Sequence, residues 1–150
     1  MRNILLIAAG LVLVAAGAVG SYAATTNTKA KIVPLETMRW TPQAPDLPQT
    51  VVELWGDRAA HGGYGVLVRL QPGFDSHLHA HSGDFHGVLV AGTWLHIEED
   101  GTGADTPLKP GSYVMQPGGG MHIDRCTADA ECILFLFQNK RADVIWPKTR

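Results

Sequence analysis

Two cysteines in 150 residues are too few for a cysteine-rich disulfide scaffold or a multi-thiolate zinc site. Basic charge is also scarce: 12 Lys and Arg stand against 14 Asp and Glu, for a formal net charge of −2. Without an electropositive surplus there is no footprint for a phosphate backbone, and nucleic acid is not expected as a partner. Beyond the first two dozen residues no apolar period of 3.6 lasts long enough for a helix. No internal repeat or low-complexity tract appears either. The chain is instead rich in Gly (17) and Pro (9), the composition of many short strands joined by tight turns. At this length a single domain is expected.

The exception is the start. Arg2, the apolar run Ile4 to Val19 and Ser21-Tyr22-Ala23 read as a signal peptide over residues 1–23, cut after Ala23. An uncleaved anchor is the alternative, although Gly and Ala crowd the end of the run. Export places the chain in a periplasm or outside the cell, with no stable membrane anchor after cleavage. In that oxidising setting Cys126 and Cys132 read as facing each other across a hairpin loop, within disulfide reach. Two buried free thiols in neighbouring strands are the alternative.

Residues 24–49 read as an extended arm, with an edge strand at Lys31–Leu35 and three prolines between Pro42 and Pro48. The arm leads into one domain over 50–146 and a short tail over 147–150. Strands are expected at Val51–Trp55, Tyr64–Leu70, His77–His81, Phe85–Ala91, Thr93–Glu98, Ser112–Gln116, Met121–Cys126, Cys132–Gln138 and Asp143–Trp146. About nine short strands make an all-β sandwich or small barrel.

Four of the seven histidines lie between Pro72 and Gly92. His77, His79 and His81 alternate, so a regular strand points all three to one face. His122 follows the Pro117–Gly120 corner, where glycine lets the backbone pass close to its neighbour. Imidazoles from two such places can share one ion. His86 is a further candidate ligand if a bulge turns it inward, and His77 a base or rim residue beside the ion. By alternation Asp124 shares the face of His122, where it can receive a proton from a ligand imidazole. Tyr113 completes the groups available for proton transfer. His61 and His96 carry no spacing signal and read as surface residues.

The chain resembles the cupins. Gly73, then FDSHL, His79-Ala80-His81 and Gly92 follow the first cupin motif, while Gly111, SYVMQ, Pro117-Gly118-Gly119 and His122 follow the second. The resemblance covers roughly residues 50 to 140, and Trp55-Gly56-Asp57, GDFHGVLVAGTW and the paired cysteines are similar to the cupin domains of anti-sigma factors. It implies a cupin-type β-barrel (a double-stranded β-helix, or jelly roll) with a metal inside, and dimers are common in the family. The chain departs from the pattern at the glutamate ligand, whose place falls on Phe85 or His86. A set of His79, His81 and His122, with or without His86, has no anionic member; it suits Zn²⁺, Fe²⁺, Ni²⁺ or Cu²⁺ rather than Mg²⁺ or Ca²⁺. Two functions follow: an oxygenase-like or other metal-dependent enzyme, an oxidoreductase in the first case, acting on a small organic molecule, or a non-catalytic module that binds or senses a metal or small ligand.

Overall fold

The computed structural model describes residues 29–45 and 47–148. The expected signal peptide, residues 1–23, lies outside them. Among the described residues no helix is long and apolar enough to cross a membrane.

Eight strands follow a 3₁₀ turn at Leu35–Thr37: β1 (Thr41–Pro42), β2 (Thr50–Trp55), β3 (Tyr64–Leu70), β4 (Phe85–Ala91), β5 (Trp94–Glu98), β6 (Tyr113–Gln116), β7 (His122–Cys126) and β8 (Cys132–Gln138). Six form a sheet in the order β1-β2-β3-β8-β4-β6, and β5 pairs with β7 in a second, two-stranded sheet. All the pairings are antiparallel.

The expected barrel is therefore corrected. Neither sheet closes on itself, so the architecture is mostly β-sheet of the cupin kind but not a closed β-barrel, jelly roll or double-stranded β-helix. The reason lies in the segments where closure would occur. The small sheet meets its surroundings through single bridges, Asp75 with Arg125, His79 with His122 and Trp94 with Leu108, in place of a ladder. The strand expected at His77–His81 is one of these irregular segments. His77 takes φ 58°, which breaks the alternation, and only His79 and Ala80 are bridged. The strand expected at Asp143–Trp146 is likewise a single bridge at Ile145, and Lys31–Leu35 forms none.

Register on the large sheet sets up its inner face. Opposed residues in adjacent strands project to the same side. Tyr64, Gln138, Phe85 and Gln116 make one row across β3, β8, β4 and β6, all of them buried. Val66, Leu136, Gly87 and Val114 make the next row, and Val68, Leu134 and Leu89 the one beyond. The face thus passes from polar and aromatic to aliphatic along the strands. Gly87 has a packing reason: a Cβ there would stand 3.0 Å from Leu136 Cδ2 and 3.2 Å from the Trp94 ring. Trp94, on the facing sheet and fully buried, fills that space.

Cys126 and Cys132 are bonded, with Cα atoms 5.8 Å apart. They do not sit in one hairpin, however. Cys126 ends β7 of the small sheet and Cys132 begins β8 of the large one, so the bond joins the two sheets. The arm is held by β1 on β2 and by the Arg69 guanidinium, 4.0 Å over the Trp40 ring.

Candidate metal centre

The irregular path of residues 77–81 brings His79 against the start of β7, where backbone hydrogen bonds run both ways between His79 and His122. His79, His81 and His122 each offer a ligand atom within 4.8 Å of the others. Their rings lie 4.4 to 5.6 Å apart, centre to centre. Each Nδ1 faces a backbone carbonyl: His79 that of His77 at 2.9 Å, His81 that of Asp143 at 2.5 Å, and His122 that of Gly120 at 3.0 Å. A carbonyl can only accept, so each Nδ1 carries the proton and each Nε2 keeps a free lone pair. That is how ligating imidazoles are oriented by their surroundings.

Charge state agrees with this arrangement. Burial drives the His122 pKa down to about 4, against the pull of Asp124 and the Gly120 carbonyl. Burial also lowers that of His81, although the Asp143 carbonyl opposes it. Both are therefore neutral at pH 7, the form that binds metal. His122 Nε2 is buried without a hydrogen-bond partner. A buried lone pair of that kind costs stability unless something fills it. The donor set fits a divalent transition metal such as Zn²⁺, Fe²⁺, Ni²⁺ or Cu²⁺.

Asp124 lies beside the trio. Its Oδ1 accepts from Trp94 Nε1 at 2.8 Å and from His96 Nδ1 at 2.9 Å, and its Oδ2 is 3.5 Å from His122 Nε2. Burial pushes the carboxyl upward, but the hydrogen bond and charge of His96 lead the effects that outweigh it, and the pKa falls. Asp124 is thus a carboxylate at the site. Its place on the same face as His122 is the one alternation gives.

His96 is the residue that sequence spacing missed. It is opposed to Asp124 across β5 and β7, and its side chain is nearly buried. Its Nε2 faces Gln116 Oε1 at 3.0 Å and Glu98 Oε1 at 3.5 Å. Burial lowers its pKa, but Asp124, Gln116 and Glu98 together raise it further. With acceptors at both nitrogens, His96 has no lone pair to give. Although His96, His122 and Asp124 also lie close enough to hold an ion, the first trio is the better seat. The signal for His96 was its pairing with Asp124, which becomes visible once β5 is set against β7.

The other expected residues lie elsewhere. His86 alternates with buried Phe85 and so occupies the opposite face of β4, where its Nδ1 is 2.7 Å from the Tyr113 hydroxyl. No bulge turns it inward, and Tyr113 is more than half exposed beside it. His77 sits at the rim with its side chain largely in solvent; its carbonyl, rather than its ring, holds His79. Phe85 occupies the position of the cupin glutamate. Its ring lies 5.5 Å from that of His122 and 5.9 Å from that of His81, so β4 brings an apolar wall where a carboxylate would stand.

A cavity of about 470 Å³ opens against His79 and His81. His79, His81 and Asp124 are among the residues that line it, together with Val66, Val68 and Leu134.

The family model described as "Domain of unknown function (DUF4437)" matches residues 32–143. No curated protein matches the chain by sequence. Among solved structures it is similar to the polyketide cyclase RemF from Streptomyces resistomycificus, with a TM-score of 0.63 and 16% identity over 81% of this chain and 88% of that one. A sugar phosphate isomerase of the cupin superfamily from Silicibacter pomeroyi gives a TM-score of 0.60 and 16% identity, over 79% and 83%. KdgF from Halomonas gives 0.58 and 20%, over 77% and 98%. At these identities the likeness shows the cupin fold.

Proposed function

The chain belongs to the DUF4437 family, and from that premise we propose that it is a metal-dependent enzyme acting on a small organic molecule held in the cavity. The observation that carries this reading is the trio itself. Three imidazoles have their Nδ1 atoms tied to backbone carbonyls and their Nε2 atoms converging, and two of them lie on a cavity wall. A metal store would be closed by protein ligands on every side; this seat faces a space that can admit a ligand.

His79, His81 and His122 would hold the ion, and Asp124 would supply a negative charge next to it. The ion would polarise an oxygen of the bound molecule. The chain's own residues do the rest. Asp124, fixed by Trp94 and His96, accepts a hydrogen bond at a set position. Phe85 and the aliphatic rows exclude water. The cyclase and isomerase among the structural neighbours support rearrangement over oxygenation as the reaction type. We place this activity in the periplasm or outside the cell, a reading supported by the leader-like start and the Cys126–Cys132 bond.

The test is elemental analysis of protein loaded in turn with Zn²⁺, Fe²⁺, Ni²⁺ and Cu²⁺, followed by a screen of hydroxy-carbonyl compounds with O₂ uptake monitored. One equivalent of metal, lost in His79→Ala and His122→Ala, together with turnover of a carbonyl compound, is expected. Metal content unchanged in His79→Ala would overturn the site. Stoichiometric metal with no turnover of any compound would leave a binding module, the role suggested by the likeness to anti-sigma cupin domains.

A further inference from the structure

The large sheet has an outer face as well, and the same register fixes what stands on it. Val52, Leu67, Phe135, Val88 and Tyr113 oppose one another across β2, β3, β8, β4 and β6. Trp55, Gly65, Phe137, His86 and Met115 make the next row. Both rows alternate with the inner ones, so they project away from the cavity. Ile133 on β8 and Val90 on β4 extend the face by a further step. Neither row holds Lys, Arg, Asp or Glu. Its two polar side chains, His86 and Tyr113, pair with each other, Nδ1 to hydroxyl at 2.7 Å. Trp55 lies down on the face: Gly65 leaves room for the indole, where a Cβ would collide with it, and the ring centre is 5.6 Å from that of Phe135. The result is a flat apolar plate. Trp55, Tyr113, Met115 and Val90 are nevertheless each about half exposed on it.

Size and charge together select what covers such a plate. Five strands about 4.8 Å apart, carrying three rows about 6.6 Å apart, span roughly 24 by 20 Å. That is on the order of 500 Å² per copy and 1,000 Å² over a facing pair, the size at which an interface becomes stable. Monomeric proteins seldom leave so large an apolar patch open. With no cation in either row, the face offers nothing to lipid headgroups. Arg69, at its corner, is engaged by Trp40 and Glu131. Transient partners meet surfaces of ordinary polarity, whereas the interfaces of permanent homodimers resemble a core cut in two. A second copy brings the same uncharged plate, and a formal net charge of −2 per chain opposes the pairing only weakly.

We propose that two copies of this chain pair through the outer face of the large sheet, about a two-fold axis, each burying Trp55, Phe135, Phe137, Tyr113 and Met115 against the other. The cavity lies on the inner face, with Val66, Val68 and Leu134, so the pairing leaves it open and does not depend on the metal.

The test is sedimentation equilibrium with light scattering on the protein as exported, over a dilution series, in chelator-treated and zinc-loaded forms. A mass twice that of one chain is expected at micromolar concentration in both. Met115→Lys and Val90→Lys each put a charge at a position already exposed, and each should weaken pairing about tenfold or more. Val144→Lys, comparably exposed but lining the cavity, should leave it unchanged. Hydroxyl-radical labelling of the unsubstituted protein gives a second reading: oxidation of Trp55 and Met115 should rise on dilution, while that of the exposed Trp146 stays level. A monomer at every concentration, a dimer that both outer-face variants retain, or labelling of Trp55 and Met115 that ignores concentration would each overturn the proposal. A monomer that binds neutral phospholipid vesicles would assign the face to lipid and overturn it likewise.

Discussion

At the scale of single residues, the depressed pKa of His122 makes the metal-free protein acid-sensitive. The folded value of about 4 lies below the ordinary histidine value of 6.5. Between these the unfolded chain binds a proton that the folded one refuses, so stability rises with pH. His122 thus favours the fold fully above pH 6.5, and that support is lost as pH falls toward 4. At about 1.4 kcal/mol per pH unit, roughly 3 kcal/mol is involved. His81 works in the same direction, whereas His96, with a raised pKa, stabilises most below 6.5 and loses its effect as pH rises through its folded value. Chemical denaturation of the metal-free protein from pH 7.5 to 4 should show the fall, and His122→Gln should flatten it. Phe85 offers a second check. Phe85→Glu would return a carboxylate to the cupin position, and isothermal titration should show zinc bound at least tenfold tighter. In the metal-free state the same change buries a charge and should lower the melting temperature.

At the scale of elements, strands were legible where the chain alternates regularly between turns. Tyr64–Leu70, Phe85–Ala91 and Cys132–Gln138 form as their patterns indicate. Residues 77–81 were not, because a positive φ at His77 is invisible to a period-two reading. The convergence of His79 with His122 comes from backbone bridging instead, with the sheet pleat playing no part. His96 escaped for a related reason: its partner Asp124 lies 28 residues away on β7, and nothing within β5 signals that pairing. The turns can be tested directly. Gly92, with φ 87°, joins β4 to β5, and a Cβ added there would lie only 2.4 Å from the Glu131 carbonyl oxygen. Gly73, with φ 76°, faces open space. Gly92→Ala should therefore cost appreciably more than the roughly 1–2 kcal/mol of left-handed strain expected for Gly73→Ala, as read from urea midpoints.

At the scale of the whole molecule, the likeness to cupins was legible from two short motifs, but closure was not. Whether β5 and β7 join the large sheet depends on ladders across irregular segments, which spacing does not encode. The Cys126–Cys132 bond supplies a covalent link where hydrogen bonding is sparse. Closing so short a loop restricts the unfolded chain modestly, by about 2 kcal/mol. Reduction should lower stability by that order, and Cys126→Ser with Cys132→Ser should reproduce it in a thermal melt.

The carbonyl that orients His81 belongs to Asp143, and the next bridge, Ile145 to Ala80, ties the same segment down. The end of the chain therefore serves as a latch on the ligand set. Clipping the backbone between Asp143 and the exposed Trp146 would leave both sheets whole and still release one imidazole to rotate, so a trimmed protein would keep its shape while losing its grip on the ion.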